Sequence, residues 1–247
     1  MLTNHEKLKF SRQILIDKIG EKGQLAIQKA NILIVGVGGL GNPAAQYLAA
    51  AGIGKLILAD GDKIELTNLP RQILFSEAQI GENKAEAAQE KLQEQYPECE
   101  IEVIDEMLDL ELARDLVSDV DLVLDCTDNI AARYLLNQVC YQAKVPLIIG
   151  AATGFDGQCL VVNSQHNNCA CYQCLFPKTA QAPAQNCQTV GILGPVLAII
   201  AGMQTLQALK IITGQKVPVN QFMMFDGLAA TWQEFKLTQQ NNCPICQ

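Results

Sequence analysis

Apolar runs and amphipathic stretches alternate along the first 150 residues. Residues 31–36 (NILIVG) and 55–60 (KLILAD) are continuous apolar runs, which is the pattern of strands buried on both faces. Between them, AAQYLAAAG is a stretch of small residues that closes at Gly52, a typical helix end. These segments predict one strand–helix–strand unit.

The same alternation extends this unit into a larger sheet. Strands that alternate with helices predict a mostly parallel sheet. Short helices over residues 6–29 precede it. The elements predicted after residue 60 are helix 84–96, strand 101–104, helix 110–117, strand 121–125, helix 131–143 and strand 146–150.

The pattern changes after residue 150, where strands are no longer followed by helices. The predicted elements are strand 157–163, a long polar loop over 164–189, a helix over 191–213, and a hairpin of 222–225 with 231–237. The helix starts apolar, but Gln204, Gln207 and Lys210 interrupt it before the roughly 20 apolar residues of a membrane span. We therefore expect it to be a buried core helix.

These elements predict an α/β protein with a Rossmann-like, mostly parallel sheet that is extended by antiparallel strands. We expect one domain over residues 1–247. Its parts would be N-terminal helices over 1–30, a Rossmann-like part over 31–150 and a last part over 151–247.

Composition and charge narrow the function classes. Hydrophobic residues make up 49 % of the 247 residues, which suits a sizeable core, and the net charge is −8. A general nucleic-acid binder needs a basic surface, so that class is excluded. The charged N-terminus lacks the apolar core of a secretory signal, and we expect a cytoplasmic protein that does not enter a membrane.

A glycine motif follows the first buried strand and precedes a helix. Residues 36–41 (GVGGLG) fit G-x-G-x-x-G, with glycines at Gly36, Gly38, Gly39 and Gly41. Backbone N–H groups at such a helix start favour phosphate. Asp60 ends the next strand 19 residues after Gly41, where an acidic residue accepts hydrogen bonds from ribose hydroxyls. Alone, this pair favours an NAD-dependent oxidoreductase.

Cationic and polar residues near the second strand change that interpretation. A nicotinamide enzyme has no evident use for them, whereas a nucleoside triphosphate carries several negative charges. Each one alone would be a solvated surface residue, so the hypothesis depends on the set. Its members are Arg12 in the N-terminal helices and Thr67, Asn68, Arg71, Gln72 and Lys84; the acidic Asp62 is a further candidate for nucleotide binding.

Residues 125–129 (DCTDN) end a further strand at the carboxyl edge of the predicted sheet, where ligands bind in such folds. Asp128 could hold Mg²⁺, which prefers carboxylate and phosphate oxygens. Asp128 and Asn129 also precede a helix, and either could be its N-cap. The residues alone leave both interpretations open.

Two C-x-x-C pairs lie 69 residues apart, Cys171 with Cys174 and Cys243 with Cys246. Four thiolates on two such pairs suit a closed tetrahedral zinc site. A redox pair is the alternative, although it needs only one C-x-x-C. Cys169 competes with Cys171 as a ligand.

In this order, these motifs resemble those of the ubiquitin-activating-like ThiF/MoeB family. The motifs are SRQIL, GVGGLG, LILAD-x-D, NLPRQILF, DCTDN, CYQCL, NCQTVG and CPIC. The resemblance covers nearly the whole chain. It implies ATP-dependent adenylation of the C-terminal Gly-Gly tail of a ubiquitin-like sulfur carrier protein. It also assigns the zinc to the four paired cysteines, since the pattern C-Y-x-C favours Cys171, and the last part of the chain to carrier binding.

The resemblance also implies roles for single residues. Arg12 would reach the triphosphate from the other subunit of a homodimer, and Cys187 would link to the activated carrier or to a sulfur donor protein carrying a persulfide. Pro70 departs from the family, which commonly has Gln there, and it lacks a backbone donor. The implied ligands of ATP and Mg²⁺ are Gly39, Asp60, Asn68, Arg71, Lys84 and Asp128.

The expected chemistry needs no general base, because a terminal carboxylate is ionised at neutral pH. Arg12, Arg71, Lys84 and a metal held by Asp128 would neutralise charge and orient attack on the α-phosphate. Within the family, NCQTVGILGPV, FDG and Trp232 are closer to the ThiF branch of thiamine thiazole synthesis. The alternatives are the MoeB role in molybdopterin synthesis, an NAD-dependent oxidoreductase and a non-catalytic zinc scaffold.

Overall fold

The structure is a computed structural model that describes residues 1–178 and 191–246. The strands in these two ranges are β1 (Asn31–Val35), β2 (Lys55–Ala59), β3 (Glu100–Ile104), β4 (Leu122–Asp125), β5 (Leu147–Thr153), β6 (Asp156–Val162), β7 (Gln221–Asp226) and β8 (Thr231–Lys236). The α-helices are α1 (Asn4–Lys9), α2 (Ser11–Ile14), α3 (Gly20–Ile27), α4 (Gly41–Ala51), α5 (Lys84–Gln95), α6 (Leu110–Ser118), α7 (Ile130–Ala143), α8 (Tyr172–Leu175) and α9 (Gly194–Ile212).

The eight strands form one sheet in the order β3-β2-β1-β4-β5-β6-β7-β8. The first five in this order pair in parallel, and β6, β7 and β8 add antiparallel pairs. The predicted fold class, a mostly parallel sheet extended by antiparallel strands, is confirmed.

Alternate side chains of each central strand enter different cores. Ile32 and Ile34 of β1 pack in the core that α4, α5 and α9 cover. Leu33 and Val35 pack in the core that α6, α7 and α8 cover. Because helices cover both faces, the strands are apolar throughout, which is why they were recognisable as continuous apolar runs.

Helix α9 is the one helix in the described ranges that is long and apolar enough to cross a membrane by length and composition. It packs against α4, β5 and β6. Its buried Gln204 donates from Nε2 to the carbonyl oxygens of Asp125 and Ile148, at 2.9 and 3.1 Å. These contacts fit the predicted core helix, because the buried amide is satisfied by the sheet.

The structure differs from the sequence prediction between residues 164 and 178. These residues were predicted to be loop, yet α8 forms one helical turn there. A single turn is too short to show helical periodicity, and α8 is instead held by a tertiary contact: Asn137 accepts a hydrogen bond from the Tyr172 N–H at 2.8 Å. The prediction of an uninterrupted loop was wrong here.

The sheet has a topological switch point between β1 and β4. The chain moves from β1 to β2 and β3 on one side, and places β4 and β5 on the other. Loops at the carboxyl ends of β1 and β4 therefore diverge and leave a crevice, where open α/β sheets bind ligands. The glycine motif and residues 125–129 both lie at this crevice.

Candidate nucleotide site and cysteine cluster

A cleft of about 700 Å³ lies at the switch point, within the usual size of small-molecule sites. Most residues that the sequence predicts for nucleotide binding line it. They are Gly36, Gly38, Gly39, Asp60, Asp62, Asn68, Arg71, Gln72, Lys84, Asp128 and Asn129.

The other predicted residues lie elsewhere. Gly41 begins α4 behind the loop. Thr67 is exposed, and its hydroxyl is 3.4 Å from Glu65 Oε2. Arg12 is exposed on α2 and does not line this cleft. Cys187 lies outside the described residues, so its role stays a prediction.

The glycine loop is tight enough to exclude side chains at two positions. Gly36 has a φ of +86°, and a Cβ there would lie 2.9 Å from the Cys126 carbonyl oxygen. A Cβ at Gly41 would lie 2.0 Å from the Gly36 carbonyl oxygen. The loop therefore turns sharply from β1 into α4, and the start of this helix lies at the cleft, where helix N-termini favour phosphate.

Gly41→Ala is expected to lower the free energy of unfolding by about 3 kcal/mol, because the backbone must move to admit the methyl group. For a chain of this size we expect the melting temperature to fall by about 6–12 °C. Thermal unfolding checks this. Gly191→Ala is the matched control, since a Cβ at Gly191 meets no atom of residues 1–178 or 191–246 within 4 Å; equal melting temperatures for the two variants would contradict the prediction.

Asp60 connects the glycine loop to the end of β2. Its Oδ2 accepts from the Val37 N–H at 2.7 Å, and its Oδ1 accepts from the Asp62 N–H at 2.9 Å. Burial raises the pKa of the Asp60 carboxyl, although Lys84 and these N–H donors oppose it. Each oxygen keeps a further lone pair, so Asp60 can fix the loop and still accept from ribose hydroxyls.

Lys84 begins α5 and lies almost completely buried at the cleft. Its Nζ is 2.8 Å from Asp62 Oδ2. The Asp62 side chain is 65 % exposed, so it can turn away at little cost. Lys84 is thus a buried cation whose present partner a phosphate group can replace.

The turn at residues 65–72 presents Arg71 and Gln72 to the cleft. The N–H groups of both residues donate to the Asn68 carbonyl oxygen at 3.0 Å. Pro70 leaves this turn intact because the N–H groups of Arg71 and Gln72, and not that of residue 70, form its hydrogen bonds.

Gln72 is 3 % exposed, and its Oε1 is buried without a hydrogen-bond partner in the described part of the chain. Such atoms are rare, so Gln72 offers an acceptor to a ligand.

The structure shows which of Asp128 and Asn129 is the N-cap of α7, a question that the sequence left open. Asn129 is the N-cap of α7, accepting from the N–H groups of Ala131 and Ala132 at 2.8 and 3.3 Å. Asp128 is exposed in the cleft. No hydrogen bond or ion pair between residues of the described ranges uses its carboxylate, so Asp128 is available to a cation.

Sequence reasoning missed Arg133, which also lines the cleft. Its Nε is 3.0 Å from Asp125 Oδ2, and the two side chains are 11 % and 0 % exposed. Burial tends to lower the pKa of Arg133, but Asp125 and Tyr172 together outweigh it and the pKa is raised. The sequence does contain a pattern that could have identified Arg133. A buried strand ends in Asp125, and a cation follows eight residues later near the start of the next helix.

The four paired cysteines form one cluster. Their sulfur atoms all lie within 4.8 Å of one another, and the closest pairs are 3.3 to 4.0 Å apart. A tetrahedron with metal–sulfur bonds of about 2.3 Å has edges of about 3.8 Å, so the cluster fits a zinc ion. Cys169 is not a member, because its sulfur instead accepts from the Asn163 N–H at 3.3 Å.

The remaining buried cysteines belong to the core, as predicted. They are Cys99, Cys126, Cys140 and Cys159. Burial raises the pKa of Cys99 and of Cys159 to about 12. These thiols are therefore protonated and unreactive at neutral pH.

Comparison with known structures supports the fold. Escherichia coli MccB solved with ATP superimposes with a TM-score of 0.84 at 23 % identity, covering 99 % of this chain and 75 % of that one. The structure of the microcin C7 biosynthetic enzyme MccB with N-formylated MccA gives 0.84 at 23 % identity, over 97 % and 75 % of the two chains. At this identity the likeness concerns the fold alone.

Sequence comparison extends to the family. The chain is 39 % identical to the sulfur carrier protein ThiS adenylyltransferase of Escherichia coli K12, over 99 % of this chain and 97 % of that protein. It is 42 % identical to the adenylyltransferase and sulfurtransferase MOCS3 of Drosophila sechellia, over 99 % of this chain but only 54 % of that protein, so it spans about half the length of this relative. The ThiF family profile matches residues 10–245, and the chain therefore belongs to the ThiF family.

Proposed function

We propose that this protein uses ATP to adenylate the C-terminal Gly carboxylate of a ubiquitin-like sulfur carrier protein. The observation that carries the proposal is the cleft, where the glycine loop and Asp60 meet Arg71, Lys84 and Asp128. The glycine loop and Asp60 would bind the nucleoside and its nearest phosphate. Arg71, Lys84 and a metal ion at Asp128 would bind the rest of the triphosphate. The family and the 39 % identity to a ThiS adenylyltransferase support the same activity.

The charge of the cleft indicates what the chain must recruit. Among the described residues, six carboxylates and four cations line it. A triphosphate needs net positive charge, so the cleft as it stands repels ATP. Magnesium bound at the available Asp128 carboxylate would supply two positive charges. Arg12 would supply another from the second subunit of a homodimer.

In the proposed reaction, a carboxylate oxygen of the carrier attacks the α-phosphorus of ATP. A bond forms between that oxygen and phosphorus, the bond to the β-phosphate oxygen breaks, and pyrophosphate leaves. No proton moves, because the carboxylate is already ionised. Arg71 and Lys84 lower the barrier by holding the two anions in line and offsetting their repulsion. The products are the carrier acyl-adenylate and pyrophosphate.

The cysteine cluster has a structural role in this proposal. Four sulfur ligands leave no open position for a substrate. Zinc there would tie the C-terminal segment, through Cys243 and Cys246, to α8. Residues 151–247 would then form the carrier-binding and zinc part of one adenylation domain, in a cytoplasmic homodimer.

For the carrier, we propose the one that provides sulfur for the thiazole of thiamine, and a molybdopterin carrier is the alternative. We expect ATP–pyrophosphate exchange with a purified ThiS-type carrier and at least 10-fold slower exchange with a molybdopterin-pathway carrier. The matched control is each carrier without its last glycine, which removes the reacting carboxylate from its normal place. Exchange with the molybdopterin carrier alone would overturn the thiamine assignment. Calorimetry in which the protein binds NAD but does not bind ATP with magnesium would overturn adenylation.

Cys187 is proposed to act after adenylation. Its thiolate would attack the carrier acyl-adenylate, forming a thioester and releasing AMP. Alternatively, once a donor persulfide has displaced AMP to form an acyl disulfide with the carrier, the thiolate would attack the donor sulfur, forming a disulfide with the donor and releasing the carrier thiocarboxylate. Cys187→Ser should leave pyrophosphate exchange unchanged and reduce sulfur transfer to the carrier at least 10-fold, because a hydroxyl is a much weaker nucleophile than a thiolate. Mass spectrometry of the carrier after single turnovers measures the second step. Loss of exchange in this variant would contradict the assignment.

A further inference from the structure

Helix α7 carries two buried polar side chains that the proposed chemistry does not use. Arg133 and Asn137 are four residues apart, so they lie on the same face of the helix. Arg133 lies at the nucleotide cleft. Asn137 is fully buried and lies next to the cysteine cluster.

Arg133 holds the loop that carries Asp128. Besides its ion pair with Asp125, its Nη2 donates to the carbonyl oxygens of Thr127 and Gly150, at 2.8 and 3.1 Å. Asp125 Oδ1 in turn accepts from the N–H and hydroxyl of Thr127, at 2.9 and 2.7 Å. The residue before Asp128, Thr127, is therefore held at its carbonyl by Arg133 and at its N–H by Asp125, the ion-pair partner of Arg133.

Asn137 holds the cysteine cluster. Its Oδ1 accepts from the Tyr172 N–H at 2.8 Å. The amide of Asn137 also lies next to the Cys171 thiol. Nδ2 of Asn137 is buried and has no hydrogen-bond acceptor in the described ranges. A metal-bound Cys171 thiolate would supply that acceptor, as outer-shell donors do in metal sites.

Tyr172 joins the two contacts. It lies between Cys171 and Cys174 in the sequence, and its ring centroid is 5.7 Å from Arg133 Cζ. Such a stacked guanidinium is attracted by the ring. The cluster, Tyr172, Arg133 and the Asp128 loop therefore form a continuous series of contacts along one face of α7.

We propose that Arg133 is a positioning residue for the nucleotide loop, and that Asn137 and Tyr172 couple it to the cysteine cluster so that zinc and ATP bind with positive cooperativity. This inference rests on the proposed function, because it takes ATP as the ligand of the cleft. Coupling between binding sites is reciprocal: zinc must strengthen ATP binding by the same factor by which ATP strengthens zinc binding.

The test needs no substitution. Zinc affinity of the full chain is measured by competition with a chromophoric chelator, with and without saturating ATP and magnesium. ATP affinity is measured by calorimetry on zinc-loaded and zinc-free protein. We expect both affinities to rise by the same factor, about 5-fold or more. Both measurements are made well below the melting temperature of the zinc-free protein, where a zinc site that only stabilises the fold leaves zinc affinity independent of ATP. That result overturns the inference.

Variants then locate the coupling. Asn137→Ala should remove the ATP effect on zinc affinity, whereas Gln142→Ala, which changes an exposed amide on the same helix, should retain it. Arg133→Lys should weaken ATP binding at least 10-fold at unchanged zinc content, since one ammonium cannot reach both carbonyl groups and Asp125. Arg114→Ala is the exposed cation control.

The outcomes separate the inference from the proposed function. If zinc-loaded wild-type protein binds no ATP, the proposed function fails and the inference with it. If it binds ATP and exchanges pyrophosphate, but Asn137→Ala keeps the full coupling factor, the inference alone fails.

Discussion

Arg71→Ala is expected to reduce ATP–pyrophosphate exchange at least 100-fold while the melting temperature stays unchanged. Two of the cleft's cations, Lys84 and Arg133, are paired with carboxylates. Arg71 donates instead to the Thr67 carbonyl oxygen at 2.7 Å, and it has no carboxylate partner within the described ranges. Its positive charge is therefore available to the phosphates, and losing one such preorganised donor costs about 10²–10³ in rate.

The matched control is Arg114→Ala, which removes an exposed cation of α6, away from the cleft. It should exchange pyrophosphate at the wild-type rate. Wild-type exchange by Arg71→Ala would contradict the triphosphate assignment. A low melting temperature in Arg71→Ala alone would show that the fold, and not the reaction, had been lost.

The same variant tests whether Arg12 acts across a dimer. A heterodimer of Arg12→Ala with Arg71→Ala has one intact site if Arg12 completes the partner's cleft, and none if Arg12 serves its own chain. Differently tagged subunits, co-expressed and purified through both tags, should therefore recover about half of the wild-type exchange. No recovery in a stable heterodimer would place Arg12 in its own subunit's site.

The parts of the site that the sequence predicts are those with strict local requirements. A strand that ends in G-x-G-x-x-G leaves few conformations, because Gly36 needs a positive φ and Gly41 has no room for a Cβ. The position of Asp60 is predictable because β2 runs parallel to β1, so both strands end at the same edge of the sheet. The cysteine pairs were recognisable because C-x-x-C fixes the spacing of two ligands.

The residues that were missed are defined by contacts between distant segments. Arg133 looked like an ordinary helix cation, and only the β4–α7 geometry reveals its ion pair with Asp125. Asn137 acts on α8, 35 residues away. Whether Asp128 or Asn129 is the N-cap depends on whether α7 begins one residue earlier or later, and local sequence does not determine helix ends to one residue.

Zinc removal is expected to lower the melting temperature by about 8–16 °C. Zinc at 1,000 times its dissociation constant stabilises a folded protein by about 4 kcal/mol, and a chain of this size loses about 2–4 °C for each kcal/mol. The loss should begin at the C-terminus, because zinc would join Cys243 and Cys246 of that segment to Cys171 and Cys174 at α8. Thermal unfolding before and after chelation, with metal analysis, measures both effects.

Two substitutions make this prediction specific to the four paired cysteines. Cys243→Ser should lose zinc and show the lower melting temperature without any chelator. Cys169→Ser changes a buried cysteine beside the cluster that is not one of its members, so it should keep one zinc per chain and respond to chelation as the wild type does. Zinc retained in Cys243→Ser, or lost in Cys169→Ser, would mean that the ligand set is wrong. The distances between sulfur atoms support the four paired cysteines, because these atoms already lie at the spacing of a tetrahedral zinc site. The sulfur of Cys169 instead accepts a hydrogen bond from the backbone N–H of Asn163, the residue after β6.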